Sequence, residues 1–228
     1  MNLTYFGHGT FGLEADGKKV LVDPFFTGNP AASTDAASVT ADTILLTHAH
    51  NDHVGDTIEI AKRCDSTVIA TFELANWVAS QGVERTIGGN FVGTVPFAGG
   101  TAKFVPAWHT SSYSSPDGIV AAGVPAGYVV RFGGKTIYFA VDTRLFLDMQ
   151  LICDEKLDVA VIPIGDYFTM GPTDAVRAAK LLQATTVIPG HFNTFPAIQQ
   201  DADEWKKQVE TETESKVAVL QPGQTIVL

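Results

Sequence analysis

Apolar residues along this chain fall mostly into short runs bounded by Gly, Pro, Asn and Asp, the spacing of strands and turns. "NLTYF" (2–6) and "TFGLEA" (10–15) read as strands flanking Gly7-His8-Gly9. "ADGKKVLVD" (15–23) reads as a hairpin turning at Asp16-Gly17. Small residues from Thr27 to Ala41 predict a loop, and "DTILLTH" (42–48) a short buried strand. In "DHVGDTIEIAKRC" (52–64), Val54, Ile58 and Ala61 recur at helical spacing, which predicts one helix. "STVIAT" (66–71) is a further strand, and "FELANWVASQG" (72–82) a helix stopped by Gly82.

The second half repeats the order. "GGTAKFVPAWH" (99–109) and the hairpin "AGYVVRFGGKTIYFAVD" (126–142), turning at Gly133-Gly134, precede a short helix from Leu145 to Cys153. "HTSSYSSPDG" (109–118) between them reads as a polar loop ending in a turn, rich enough in hydroxyls to line a site if one lies beside it. "LDVAVIPI" (157–164) is a buried strand. "GPTDAVRAAKLLQA" (171–184) is a helix with Pro172 in its first turn and Thr173 and Asp174 placed to cap it. "TTVIPGHF" (185–192) is a strand, "DADEWKKQVE" (201–210) an exposed helix, and "KVAVLQPGQTIVL" (216–228) a closing hairpin. Strands first, then helix–strand units, twice over, predict an α+β fold of two sheets packed face to face with helices outside. No linker-like stretch divides the chain, so residues 1–228 are expected to form one domain.

Composition narrows the class. At 45% hydrophobic and 18% charged residues the chain can bury a core. No apolar run approaches the ~20 residues that span a bilayer, and the opening residues read as a strand and not as a signal peptide. Cys64 and Cys153 stand far apart, as reduced thiols do. The expectation is a cytoplasmic protein with no membrane partner. A net charge of -10 repels phosphate backbones, so no nucleic-acid partner is expected.

The histidines change the picture most. Of 6 in the chain, His48, His50 and His53 fall within "HAHNDH" at the end of an apolar strand. On an extended segment His48 and His50 point to the same side and can share an ion. Asp52 and His53 lie where the chain turns into a helix and can point to a neighbouring one. His109 after "KFVPAW", Asp142 after "IYFAV" and His191 after "VIPG" repeat the arrangement of a polar residue at the end of an apolar run. Imidazole and carboxylate together suit zinc, manganese and iron.

"HAHNDH" with His109, Asp142 and His191 resembles the metallo-β-lactamase superfamily pattern H-x-H-x-D-H…H…D…H, over nearly the whole chain. "YFGHGTFGLE", "VDPFFTGNP", "IGDYFTMGPTDA" and "IPGHFNTFP" resemble the metal-dependent hydrolases related to ascorbate-6-phosphate lactonase. The resemblance implies a four-layer αββα sandwich of two mixed sheets with outer helices, and two divalent ions, zinc or manganese in preference to iron. It implies that His48, His50 and His109 hold one ion, that Asp52, His53 and His191 hold the other, and that Asp142 bridges them. It also implies a part for Asp52 in handling a proton of the attacking water, and a place near the metals for His8. A homo-oligomer is a further implication of the family.

Two ions ~3.5–4 Å apart lower the pKa of a shared water, aim it, and polarise a substrate oxygen, so no serine or cysteine nucleophile is required. The expected function is hydrolysis of a small, anionic ester, lactone or phosphodiester. Five further residues are candidates around the metals. Asp23 can buttress a ligand histidine, and Tyr113 belongs to the hydroxyl-rich stretch after His109. Asp166 lies in a loop that resembles one near the site. Arg144 stands where the family often has a small residue and can meet an anionic group; Asn51 replaces a glycine common in relatives. Three alternatives stand beside hydrolysis of a small molecule: an iron-dependent redox enzyme on the same fold, such as a persulfide dioxygenase; a phosphodiesterase acting on nucleic acid; and a non-catalytic binding domain. Flavo-diiron relatives carry an acidic residue where this chain has His50.

Overall fold

Period-two burial builds the first sheet. In β1 (Asn2–Gly7) Leu3 and Tyr5 turn inward while Thr4 and Phe6 are only half-buried, and β2 (Thr10–Ala15) and β3 (Lys18–Val22) continue as antiparallel neighbours. The computed structural model describes residues 1–228. From β3 the chain runs into β4 (Thr43–Leu45), α1 (Asn51–Val54), α2 (Thr57–Cys64), β5 (Thr67–Thr71), α3 (Phe72–Ser80) and β6 (Thr86–Gly89). Strands β3, β4, β5 and β6 are parallel, joined by a long loop between β3 and β4 and by helical crossovers thereafter.

The second sheet follows the same plan. Strands β7 (Thr94–Phe97) and β8 (Gly100–Pro106) lead to a separate hairpin, β9 (Ser112–Ser115) with β10 (Gly118–Ala121). Then come β11 (Ala126–Phe132), β12 (Lys135–Phe139), α4 (Met149–Cys153), β13 (Val159–Pro163), α5 (Pro172–Leu182), β14 (Thr186–Gly190), α6 (Ala202–Glu212), β15 (Lys216–Val217) and β16 (Thr225–Val227). The two seven-stranded sheets have the orders β16-β1-β2-β3-β4-β5-β6 and β15-β14-β13-β12-β11-β8-β7. Each is antiparallel at one end and parallel at the other, so both are mixed.

Three apolar cores separate four layers. Leu3, Phe11 and Leu13 of the first sheet pack with Phe104, Tyr128 and Phe139 of the second between the sheets. Ile60 of α2 and Leu74 and Val78 of α3 cover the outer face of the first sheet at Ile44 and Val68. Met149, Ala178 and Trp205, from α4, α5 and α6, cover the second at Ala160 and Val187. This is the expected αββα sandwich.

Several local expectations are corrected. The last segment is not a hairpin: β15 pairs with β14 in the second sheet and β16 with β1 in the first, so the chain crosses between sheets. Pro222 and Gly223 mark the turn of that crossing, a signal that fits a hairpin equally well. The polar stretch after His109 is partly strand, in β9 and β10. Thr173 and Asp174 do not cap α5, whose N-cap residue is Gly171; Asp174 pairs with Arg177 instead. The helix expected from Leu145 begins at Met149. Helix α6 is not wholly exposed, since Trp205 and Val209 are buried.

The single helix expected over 52–64 is two, and the break matters most. Gly55 has φ +41, and a Cβ there would lie 2.3 Å from the Pro24 carbonyl oxygen. The loop after β3 therefore presses against the α1–α2 junction, where Asp56 N donates to Pro24 O at 2.7 Å and the Asp56 carboxylate accepts from Phe26 N and Thr27 N. Gly55→Ala is expected to destabilise by roughly 2 kcal/mol or more through backbone overlap. Gly17→Ala, at φ +72 with nothing within 4 Å of the added carbon, serves as control and should lose only about 1–2 kcal/mol. Equal shifts in denaturant midpoint would show that the loop does not need this close approach.

Candidate metal centre

All 6 histidines of the chain meet at one edge of the sandwich. Five sit beyond strand ends, His48 and His50 after β4, His109 after β8, His191 after β14 and His8 in the turn from β1 to β2, while His53 lies in α1. Asp142 follows β12 and Asp23 follows β3. Carboxyl ends of parallel strands are where open α/β sheets leave room for ligands. The two sheets are tied together here by backbone bonds, His191 N to His8 O at 2.9 Å and Ala126 N to Thr47 O at 3.0 Å. Several residues at this edge have left-handed backbone: His8 at φ 57, Asp23 at 44, Val141 at 52 and His191 at 49. For a β-branched residue such as Val141 that conformation is a true outlier, and such strain, about 1–3 kcal/mol each, persists where surrounding bonds enforce it.

Two donor groups form. In the first, His50 Nδ1 lies 3.0 Å from His48 Nε2 and 3.2 Å from His109 Nε2. Nitrogens ~2.05 Å from one tetrahedral ion stand about 3.3 Å apart, so this spacing fits a shared ion. In the second, Asp52, His53 and His191 are joined by His8. Asp142 stands between them: Oδ1 is 3.4 Å from His53 Nε2, and Oδ2 is 3.1 Å from His191 Nε2 and 3.5 Å from His109 Nε2. His53 Nε2, His191 Nε2 and Asp142 Oδ1 are buried and lack any hydrogen-bond partner. Buried polar atoms are usually paired; of the unpartnered ones here, which also include Thr57 Oγ1, Thr71 Oγ1, Tyr138 Oη, His191 Nδ1 and Trp205 Nε1, these three lie together among the donor groups and could hold an ion.

Ring orientation is fixed from behind. Asp23 is fully buried and accepts from Thr47 N at 2.9 Å, Thr47 Oγ1 at 2.6 Å and His53 Nδ1 at 2.8 Å. His53 therefore carries its proton on Nδ1 and turns Nε2 to the site. Thr47 Oγ1, having donated to Asp23, accepts from His48 Nδ1 at 3.0 Å, which leaves the His48 Nε2 lone pair free. One carboxylate thus sets the tautomer of two candidate ligands. Thr47 was missed in the sequence because a threonine at a strand end carries no distinguishing mark.

His8 faces the centre. Burial, with His191 adding to it, pushes the His8 ring down to about 4. The neutral ring donates from Nε2 to Asp52 Oδ2 at 3.0 Å and accepts at Nδ1 from Thr194 Oγ1 at 2.9 Å. Thr194, a second residue the sequence reading missed, lies 186 positions away. Burial likewise keeps His48, His50 and His109 neutral, below the usual imidazole range. Burial disfavours charge on His53 too, but the Asp142 and Asp23 carboxylates outweigh it and hold the ring well above that range. Asp142 is buried, yet His191 and His53 keep it ionised. Burial raises Asp23.

The remaining candidates divide. Asn51 lines the smaller cavity beside Asp52, and its amide clamps the β9–β10 hairpin through Ser114 O at 2.8 Å and Ser114 N at 3.0 Å. Tyr113 packs on Trp77 and lines a cavity of about 440 Å³ with Asp52 and Phe195. Arg144 is exposed, bonds Leu145 O, and does not line the site. Asp166 is exposed in a left-handed turn and does not line it either. A larger cavity of about 770 Å³ opens over His50, Asp52, His109, Asp142 and His191.

The model of the beta-lactamase superfamily domain matches residues 2–191. The chain belongs to that superfamily. Its relatives include a UPF0173 metal-dependent hydrolase of Geobacillus thermodenitrificans, 49% identical over 100% of both chains. Another, of Thermus thermophilus, is 45% identical over 100% of this chain and 99% of its own. Among solved structures Igni18, a metallo hydrolase of the archaeon Ignicoccus hospitalis, superimposes with TM-score 0.89 at 36% identity, covering 99% of this chain and 97% of its own. This superfamily member is therefore a metal-dependent hydrolase, with candidate His/Asp groups for the metal. None of its helices is long and apolar enough to cross a membrane.

A proton count tests the electrostatics. Against burial, the Asp142 and Asp23 carboxylates hold His53 above the usual imidazole range in the metal-free protein, so the ring carries a second proton, on Nε2, which must leave before that nitrogen can bind an ion. Zinc added to chelator-treated protein at neutral pH should release about one proton per chain, read as a buffer-dependent calorimetric enthalpy. Affinity should fall as pH is lowered, as the remaining histidines protonate as well. Absence of proton release would show that His53 is neutral before metal arrives.

Proposed function

We propose that the chain hydrolyses a small ester or lactone at a two-metal centre, with a phosphodiester as the next candidate and residues 1–228 acting as one domain. His48, His50 and His109 would hold one ion, Asp52, His53 and His191 the other, and Asp142, which stands between the two groups, would serve both. The observation that carries this reading is the set of buried, unpartnered atoms, His53 Nε2, His191 Nε2 and Asp142 Oδ1, converging on two donor groups. When bound, divalent ions lower the pKa of water and polarise a carbonyl oxygen.

The chain's own residues supply orientation and proton handling. Hydrolysis joins a water oxygen to the acyl carbon, breaks the bond to the leaving oxygen, and moves one proton to that oxygen. Asp52 Oδ2 is engaged by His8 Nε2 at 3.0 Å and lies 3.9 Å from His191 Nε2, so the bond to His8 holds the carboxylate at the centre. Burial works against charge on Asp52, but the His8 bond and nearby His53 keep it below the usual carboxylate range. Such a carboxylate orients and briefly holds a proton more readily than it keeps one. His8, neutral and pinned by Thr194, fixes the direction of Asp52. Asp23 and Thr47 keep the donor nitrogens aimed inward, which limits reorganisation during reaction.

The net charge of -10 disfavours long polyanions away from the centre. Chelator-treated protein should lose activity and regain it with zinc or manganese, turning over lactones or simple esters faster than single-stranded RNA at fixed salt. Faster turnover of RNA than of every lactone and ester overturns the substrate assignment. Stoichiometric iron with oxygen uptake would favour redox chemistry.

The bridging role makes its own prediction. Asp23→Ala should lose about 10–100-fold in metal affinity or activity, as supporting partners of ligands do. Asp142→Ala should lose more and should lower metal content at both positions. Equal losses with unchanged metal content would remove Asp142 as the bridge.

A further inference from the structure

The larger cavity has two unlike sides. One is the cluster of candidate ligands; the other is apolar, formed by Phe168, Phe195, Pro196 and Ala197. No lysine or arginine lines it. Phe168 is 54% exposed, an aromatic ring left in water beside a polar centre. Phe195 stands with its ring edge-on to His8, centroids 5.5 Å apart, and His8 in turn holds Asp52. The apolar side thus begins one side chain away from the carboxylate assigned to the reaction.

These aromatics are held in place. Phe195 leads into a tight turn at Pro196–Ile198, closed by Ile198 N to Phe195 O at 3.1 Å and Asn193 N to Ile198 O at 2.8 Å. Gln200 Nε2 donates to Gly165 O at 3.0 Å, tying this turn to the loop that carries Phe168. That loop is anchored in turn by Met170 N on Thr143 O at 3.0 Å, next to Asp142. Two loops distant in sequence are thereby fixed against each other and against the centre. A surface ordered before its ligand arrives contributes more of its contact energy to binding.

We propose that Phe168 and Phe195, with Pro196 and Ala197, form an apolar subsite for an alkyl or aryl group of the substrate. The ester or lactone hydrolysed here then carries an apolar group beside its reacting carbonyl, and not the anionic group expected from the motif. An anionic group would find no cationic side chain in the cavity, whereas an apolar one covers rings otherwise left in water. This rests on the hydrolase reading of the preceding subsection for the identity of the reacting group, and on the cavity lining for the rest.

Calorimetric binding to zinc-loaded protein separates the two. Hydroxamates offer one metal-binding head with different tails: acetohydroxamate, hexanohydroxamate and the monohydroxamate of succinate. Hexanohydroxamate should bind about tenfold more tightly than acetohydroxamate, the effect of burying roughly two methylenes. The succinate compound should gain nothing. In Phe168→Ala the tail advantage should fall below about threefold while melting temperature stays put, since Phe168 is half exposed and can be truncated without opening the core. Phe195 packs on His8, so in Phe195→Ala the tail advantage is taken relative to acetohydroxamate on the same variant and should fall likewise. Tightest binding by the succinate compound, or a tail advantage that survives both substitutions, overturns the proposal. Failure of all three to bind protein whose zinc content has been measured overturns the subsite, while failure to load zinc at all overturns the metal centre. A tail preference without turnover of any ester or lactone would leave the subsite standing and remove the ester-or-lactone assignment.

Discussion

The centre depends on one buried carboxylate. Asp23 has no exposure to solvent, and a charge there is tolerable only if it is fully engaged. Thr47 and His53 supply that engagement and are disciplined by it. His53 must present Nδ1 to Asp23, so Nε2 faces the site; Thr47 must donate to Asp23, so it can only accept from His48. Without Asp23 both rings would be free to flip or change tautomer. The Gly55 break exists for the same contact, because the loop that follows Asp23 needs the space a Cβ would take.

Bringing Asp23 to His53 also joins the first sheet's own loops, and a second set of bonds joins that sheet to the other. His8 O accepts from His191 N, Thr47 O from Ala126 N, and Tyr128 Oη donates to Leu46 O at 3.0 Å. These bonds lie at the edge where backbone strain gathers, at His8, Asp23, Val141 and His191. Strain is retained where many partners over-determine a conformation. Here the partners are the two sheets themselves, which hold donors from both within a few ångströms.

Polarity is unevenly shared across the mouth. The sheet edges supply imidazoles and carboxylates, while the loops carrying Phe168 and Phe195 supply rings. A divided lining of this kind separates chemistry from recognition: the metal-facing side acts on a polar bond, and the loop side selects what is attached to it. Within a fold that serves many substrates, loops are where such selection is placed.

The seven candidate ligands were legible in the sequence because their signal is local. An apolar run followed by a histidine or aspartate reports a strand end wherever it occurs, and alternation in "HAHNDH" follows from the period of an extended chain. The strand-then-helix order likewise announced two sheets with helices outside. What the sequence did not contain was distance. Thr47 and Thr194 look ordinary; their importance arises from contacts 24 and 186 positions apart. Arg144 and Asp166 could be read from position either as site residues or as a surface arginine and a loop aspartate, and only their exposure in the folded chain decides for the second. The closing hairpin failed for a related reason: a turn signal says that the chain reverses, not which sheet receives it. Local pattern fixes what a segment is and which face it shows, whereas partners between segments are chosen by packing the whole chain at once, and only the folded structure records that choice.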